Sequence, residues 1–386
     1  MSSTIDKVLQ DAVSAGDVPT VVAMAANDRD VIYEGAAGPR AAGESGAVSA
    51  DSMFRIASMT KMVTTVAALQ QVERGHLNPD DPVEKHLPDF AQVEVLDGFD
   101  GDTPRLRPAA TKATVKHLMT HTSGLSYWFW NADIVRWEKA TGAGNALAGV
   151  QSVFTAPLVA DPGTRFEYGI NTDWLGKVVE ATSGQSLPDY FREHITGPLG
   201  MTNTTFLMSP EQRANSVPVH VQAEDGSWTA IELDWNQKPD WWAGGHGLYS
   251  TPRDYLKFQR ALLGGGTLDG VKILERSTLD SAFSNQIGAL SFPAAIKTAD
   301  PASTCDFDAG PGRKWGYGLL LNTERDQGMR AAGSGAWAGI CNTHFWVDPA
   351  SGVTGAIYSQ FLPFVTPKSV EMYANFERAL YASLKR

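Results

Sequence analysis

Strand-like runs stand at both ends of this chain, with helical patterns between them. Near the start, "PTVVAMAANDRDVIYEGAAG" reads as two strands joined by a turn at Asn27–Asp30. Near the end come "KWGYGLLLN", "THFWVDP" and "VTGAIYSQF", the last two flanking a turn at Asp348–Gly352. Strands from both ends can share one core only if the fold brings the termini together. The expected architecture is therefore α+β, an antiparallel sheet built from both termini and flanked by helices.

The stretch from 79 to 237 changes pattern to helices and long loops, with "ATVKHLMTHTSGL", "NTDWLGKVVEATSG" and "LPDYFREHITGPLGM" as its clearest pieces. It is expected to form a mainly helical domain inserted into a sheet domain of residues 1–78 and 238–386, with the active site in the cleft between them. Ile5, Val8, Leu9 and Ala12 give the first residues an amphipathic helical period. Val370, Tyr373, Phe376 and Leu380 do the same for the last helix. "STPRDYLKFQRALLGGG" reads as a helix opened by Ser250, Thr251 and Pro252.

Composition narrows the partners. The chain has 386 residues and a net charge of −11, with no Lys/Arg run, which argues against a nucleic-acid partner. No apolar run approaches the roughly 20 residues needed to span a bilayer, so no membrane partner is expected. The start lacks the basic and apolar regions of a signal peptide. Cys305 and Cys341 form no CxxC pair or disulfide framework. Both features lead to the cytoplasm as the expected compartment.

The chemistry centres on "FRIASMTKMVTTVAALQQVERG", residues 54–75. Met62, Val66, Leu69 and Val72 mark its helix, which stops at Gly75. Ser58 stands where an N-cap belongs, and Lys61 follows three residues later, at the end where a helix dipole repels a cation. That placement favours a neutral lysine. A lysine has an ordinary pKa of about 10.4, and burial with nearby positive charge must bring it toward about 7–8 before it serves as a base. One turn apart, the amine can take the proton of the Ser58 hydroxyl, and this is the chain's only Ser-x-x-Lys. The bland alternative is a plain N-cap serine with a solvated lysine.

The segment from Phe54 to Phe90 resembles the nucleophile region of serine β-lactamase-like hydrolases, the class C and penicillin-binding-protein-like superfamily. "TVKHLMTHTSGL", "GGHGLYSTPRDYLKF" and "WAGICNTHFWVDP" resemble its later landmarks, in order, so the likeness spans about residues 54 to 361. It implies a β-lactamase/DD-peptidase-like fold. It also implies that a tyrosine from the helical domain joins the site. "GTRFEYGINTDWLG" supplies Tyr168, with Ile170 where the family has Asn, and Asn171 one position late. Tyr168 is expected to shuttle a proton once the lysine field lowers its pKa. Where β-lactamases carry Lys-Thr-Gly, this chain has Trp337, Ala338 and Gly339, resembling the Trp-Gly-Gly of family VIII carboxylesterases. By the same resemblance, Gly339 lets the backbone approach the substrate, and the N–H groups of Ser58 and Ile340 form the oxyanion hole.

Losing the strand cation weakens the case for an anionic β-lactam substrate and favours an apolar, uncharged ester. Trp128, Phe129 and Trp130, with Trp235, Trp241 and Trp242, suggest an aromatic pocket on loops. His246 in "GGHGL" is a candidate for the cleft lining.

Rival readings are weaker. His117 and His121 have the i, i+4 spacing of a zinc helix but lack the HExxH glutamate, and no metal site is expected. No Gly-x-Ser-x-Gly elbow, Rossmann or P-loop pattern is present. The expectation is a serine carboxylesterase that needs no cofactor, acting on small-molecule esters through Ser58, Lys61 and Tyr168. Trp337, Ala338, Gly339, His246, Asn171 and Trp128 are its candidate substrate-binding residues. A β-lactamase or D-amino-acid peptidase, an amidase and an acyltransferase share this machinery. A non-catalytic binding protein is the remote alternative.

Overall fold

The fold is described from a computed structural model, in which residues 2–384 are placed. A seven-stranded antiparallel sheet carries it. Its strands are β1 (Val21–Ala26), β2 (Val31–Ala37), β3 (Lys314–Trp315), β4 (Leu320–Leu321), β5 (Gly335–Gly339), β6 (Thr343–Asp348) and β7 (Val353–Tyr358). Their order is β3-β4-β5-β6-β7-β1-β2, so β1 pairs with β7 and the two ends of the chain meet in mid-sheet. The α+β expectation holds.

Alternation explains why the central strands are buried throughout. Val22, Met24, Phe345, Val347 and Ala356 face the larger core. Val21, Ala23, Ala25, Trp346 and Ile357 face the other way. There they meet Ile5 and Leu9 of α1 (Ser2–Ser14), and Phe376 and Leu380 of the final helix, Pro367–Leu384. Two layers therefore cover the sheet, which accounts for strands that are apolar at nearly every position.

On the larger-core side lie α2 (Thr60–Glu73) and α3 (Asn171–Ser183), packed against each other, and α4 (Pro252–Leu263) under β1 and β7. From Thr60 to Gln71 every residue of α2 is buried, polar ones included. A helix enclosed on all sides needs no polar face, and its polar groups must bond inward. Thr64 accordingly donates to the Gly244 carbonyl over 2.6 Å, and Gln71 to the Tyr190 hydroxyl over 2.8 Å.

The inserted stretch is not helical throughout. Residues 95–107 form a hairpin, and so do residues 219–231. The first strand of the second hairpin runs parallel to Phe361–Leu362, which places it beside the sheet rather than in the helical layer. Arg55 ties this region down through the Val217 carbonyl and the Asp234 carboxylate. None of the described helices is long and apolar enough to cross a membrane.

Candidate active site

Ser58 does not cap a helix. It lies in the 3-10 turn Ala57–Met59, and α2 begins at Thr60 without a side-chain cap. Its hydroxyl is thus not spent on a backbone N–H. Ala57, just before it, holds a φ of 44°, a left-handed conformation that costs energy for any residue with a Cβ. It opens the turn that sets the Ser58 Oγ beside Lys61. Lys61, one turn on, is fully buried and places Nζ 3.2 Å from the Ser58 Oγ.

Two further acceptors fix that amine: the Gly245 carbonyl at 2.8 Å and the Tyr127 hydroxyl at 3.1 Å. A neutral lysine has two N–H bonds and one lone pair. With both N–H bonds donated to Gly245 and Tyr127, the lone pair is left to face the serine proton. Burial drives the lysine pKa down to about 7, while the carboxylate of Asp173 pulls the other way. Desolvation therefore does most of what the helix terminus was expected to do.

Asp173, on the first turn of α3, is fully buried yet well supplied with donors. It accepts the Tyr127 hydroxyl at 3.3 Å and the Gly245 N–H at 2.8 Å. A Cβ at Gly245 would stand 2.6 Å from that carboxylate, so glycine is what permits the approach. Tyr127, Asp173 and Gly245 escaped the sequence reading. The available signal was an acid among the apolar positions of "NTDWLGKVV", since an unpaired buried aspartate is too costly to keep.

Tyr168 reaches the same place from the loop before α3. Its hydroxyl accepts the Trp337 indole N–H over 2.9 Å, and the nearby Ser58 hydroxyl acts to lower its pKa. The Lys61 Nζ lies over its ring, 4.7 Å from the centroid. The expected lowering of the Tyr168 pKa does not occur. Burial raises it above the ordinary tyrosine value, so the group works as a neutral phenol.

The other candidates divide. Trp337, Ile340, Trp128 and His246 are at the site. A narrow cavity of ≈ 20 Å³ meets Ser58, Trp128, His246 and Ile340, and a neighbouring one of ≈ 30 Å³ shares His246 and Trp235. No main-chain carbonyl among the described residues accepts the Ile340 N–H, one residue past β5. Burial brings the His246 pKa down to about 4, leaving a neutral imidazole whose Nδ1 is 3.7 Å from Asp173. Trp128 is held by Asp300, 3.1 Å from its indole N–H.

Three candidates act differently from expectation. Asn171 is not at the cavity; it is enclosed, bonding Ser123, the Leu125 carbonyl and the Glu167 carbonyl, and so fastens the Tyr168 loop to the 123–126 loop. The missing side chain of Gly339 admits protein rather than substrate, since a Cβ there would meet the Ile56 carbonyl at 2.3 Å. That contact draws β5 against the Ser58 turn. The Ala338 side chain points to the opposite face of β5 from Trp337, as the period of two requires.

The histidine pair serves the fold. The His117 Nδ1 accepts the Thr114 N–H in a capping box, and the His121 ring packs 4.7 Å from that of Tyr168. No group of three or more His, Cys, Asp or Glu poised for a metal exists among the described residues.

A family model described as Beta-lactamase matches residues 5–378. Monacolin J acid methylbutanoyltransferase from Aspergillus terreus is 32% identical over 357 residues, covering 87% of this chain and 83% of its own. Lovastatin esterase from Penicillium rubens is 32% identical over 369 residues, 91% of each protein. The solved structure of a simvastatin synthase variant from Aspergillus terreus superposes with a TM-score of 0.85 at 30% identity, covering 99% of this chain and 96% of that one. The chain belongs to the β-lactamase family, among its acyltransferase and esterase members.

Proposed function

We propose that this protein is a Ser58-dependent acyltransferase, carrying a short acyl group from an ester or thioester donor to an alcohol. Hydrolysis occurs when water takes the alcohol's place. Simple short-chain ester cleavage, the first expectation from sequence, becomes the side reaction. The observation carrying the chemistry is the Lys61 amine, enclosed and 3.2 Å from the Ser58 Oγ with both of its N–H bonds engaged.

In this reading Ser58 Oγ attacks the acyl carbon as its proton passes to Lys61. The N–H groups of Ser58 and Ile340 hold the tetrahedral oxyanion. The C–O or C–S bond to the donor breaks, and the departing atom takes a proton relayed from Lys61 through the Tyr168 hydroxyl. The acceptor alcohol then attacks the Ser58 ester, giving its proton back along the same path. Trp337 keeps Tyr168 aimed at Ser58 by occupying one of its lone pairs.

Transfer is favoured over hydrolysis by a relative named for transfer that matches across most of both chains. Lovastatin esterase, just as similar, supports hydrolysis as the second reading. Incubating the enzyme with a butyryl thioester and rising concentrations of a cyclic alcohol tests the choice. Transfer predicts that ester outgrows free butyrate. Constant butyrate release with no ester would favour the hydrolase.

A further inference from the structure

A buried ion pair stands directly before the nucleophile. Arg55 is 6% exposed, on the two-residue strand Phe54–Arg55 that pairs with Tyr249–Ser250 and leads into the Ser58 turn. An arginine so enclosed is tolerable only where its charge is met. Its guanidinium reaches the Asp234 carboxylate at 3.0 Å and the Val217 carbonyl at 3.1 Å, and lies 5.6 Å from the centre of the Tyr249 ring. Asp234 is the hub. The same oxygen accepts the Tyr249 hydroxyl and, over 3.0 Å, the Trp235 N–H; the other oxygen takes Arg213 at 2.6 Å. Burial raises the Asp234 pKa, but the Tyr249 hydroxyl, Arg55 and Arg213 outweigh it and hold the carboxyl below its ordinary value.

What this cluster fixes is Trp235. The Trp235 N–H is shared between Asp234 and the Tyr249 hydroxyl, and its carbonyl accepts the Gln237 amide over 2.7 Å. The indole N–H has no protein acceptor, unlike that of Trp128, which Asp300 holds. Packing and its own main chain therefore hold the ring. It belongs to one apolar cluster with Ala57 and Tyr249, against which Leu147 and Ile340 pack, and it meets the His246 ring edge-on at 5.5 Å. Trp235, Leu147 and His246 line both small cavities near Ser58, ≈ 20 and ≈ 30 Å³, so these three side chains divide one from the other. Neither space takes more than a water or two. An acyl chain on Ser58 begins within two bonds of Oγ, and on this side it meets a wall. Arg55 and Asp234 line neither cavity, so any effect they have on that wall passes through Trp235.

We propose that Trp235 limits the size of the acyl group, and that Arg55 and Asp234 are positioning residues that set this limit by holding Trp235 in place. The proposal rests on the reading of Ser58 as the acyl carrier. Removing the indole joins the two cavities. Removing the Asp234 carboxylate frees the main chain that carries the indole.

The readout is kcat/KM for 4-nitrophenyl hexanoate divided by that for 4-nitrophenyl acetate. A ratio taken within one preparation cancels incomplete folding, so a merely structural role would not move it. In W235A the ratio should rise about tenfold, the scale on which an apolar pocket discriminates a methylene. D234A should raise it about threefold, the worth of one orienting hydrogen bond. D234N keeps one acceptor oxygen and should raise it less. In W235A/D234A the second change should add nothing, because both act through one ring. A W235A ratio equal to that of the wild type would overturn the proposal. So would a D234A ratio that stays put, or a D234A effect that persists undiminished in the W235A background. Should D234A not fold, D234N and its double variant are judged by the same criteria. Turnover of either ester by S58A would instead refute the underlying reading, and is scored separately.

Discussion

Trp337 donates its indole N–H to the Tyr168 hydroxyl over 2.9 Å, from the strand position that by resemblance matches the lysine of β-lactamases. By that resemblance a cation there would hold a substrate carboxylate; the indole instead holds the Tyr168 phenol, the proposed proton relay. Replacing Trp337 with Phe keeps the ring and removes the donor. A neutral hydrogen bond is worth about 1 kcal/mol, so kcat should fall about five- to tenfold. A rate unchanged in steady-state ester turnover would show that Tyr168 needs no such hold.

In the proposed mechanism Lys61 governs the pH dependence. Its amine must be neutral to take the Ser58 proton, and its pKa is brought down to about 7. Activity should therefore rise with pH through about 7. Asp173 opposes that lowering, so Asp173→Asn should move the acid limb of the kcat/KM profile to lower pH. The amide keeps only one acceptor oxygen, so either the Gly245 N–H or the Tyr127 hydroxyl loses its partner, and the plateau should drop by about tenfold. A limb displaced to higher pH would contradict this electrostatic account.

Tyr127 accepts one of the two Lys61 N–H bonds. In Tyr127→Phe the amine loses that orientation, and a buried donor is left unmatched. Acylation should slow about ten- to a hundredfold, measured as the burst rate with a 4-nitrophenyl ester. Tyr168→Phe removes the relay itself and should cost more, about a hundredfold or greater. Equal losses would mean the two tyrosines share one role.

Gly339→Ala would place a methyl 2.3 Å from the Ile56 carbonyl. Backbone on both sides must then yield, separating Ile340 from the Ser58 turn. Stability should fall by about 1–3 kcal/mol in denaturant unfolding, with activity lost out of proportion. A stable, fully active variant would show that this contact does not set the oxyanion site.

Much of this was legible in the sequence, for identifiable reasons. The strands near both termini and the amphipathic end helices carry local periodicity, and local periodicity survives folding. Ser58 and Lys61 are one turn apart, so their contact needs little tertiary information. Tyr127, Asp173 and Gly245 come from three distant segments, and only the folded core brings Tyr127 and Gly245 onto one amine with Asp173 behind them. Asn171 misled because its residue type suits substrate binding, whereas its amide is consumed by the loops it joins. The direction of the Tyr168 shift was misjudged for a related reason: charge proximity is readable from spacing, while burial is not.

The central claim is that Ser58 carries the acyl group. Intact-mass spectrometry of the enzyme quenched during turnover of a butyryl thioester tests it most directly. The account predicts one added butyryl group, mapped by peptide digestion to Ser58 and discharged by alcohol, with no such adduct in Ser58→Ala. Turnover without an adduct on Ser58, or an adduct that persists in Ser58→Ala, would contradict it.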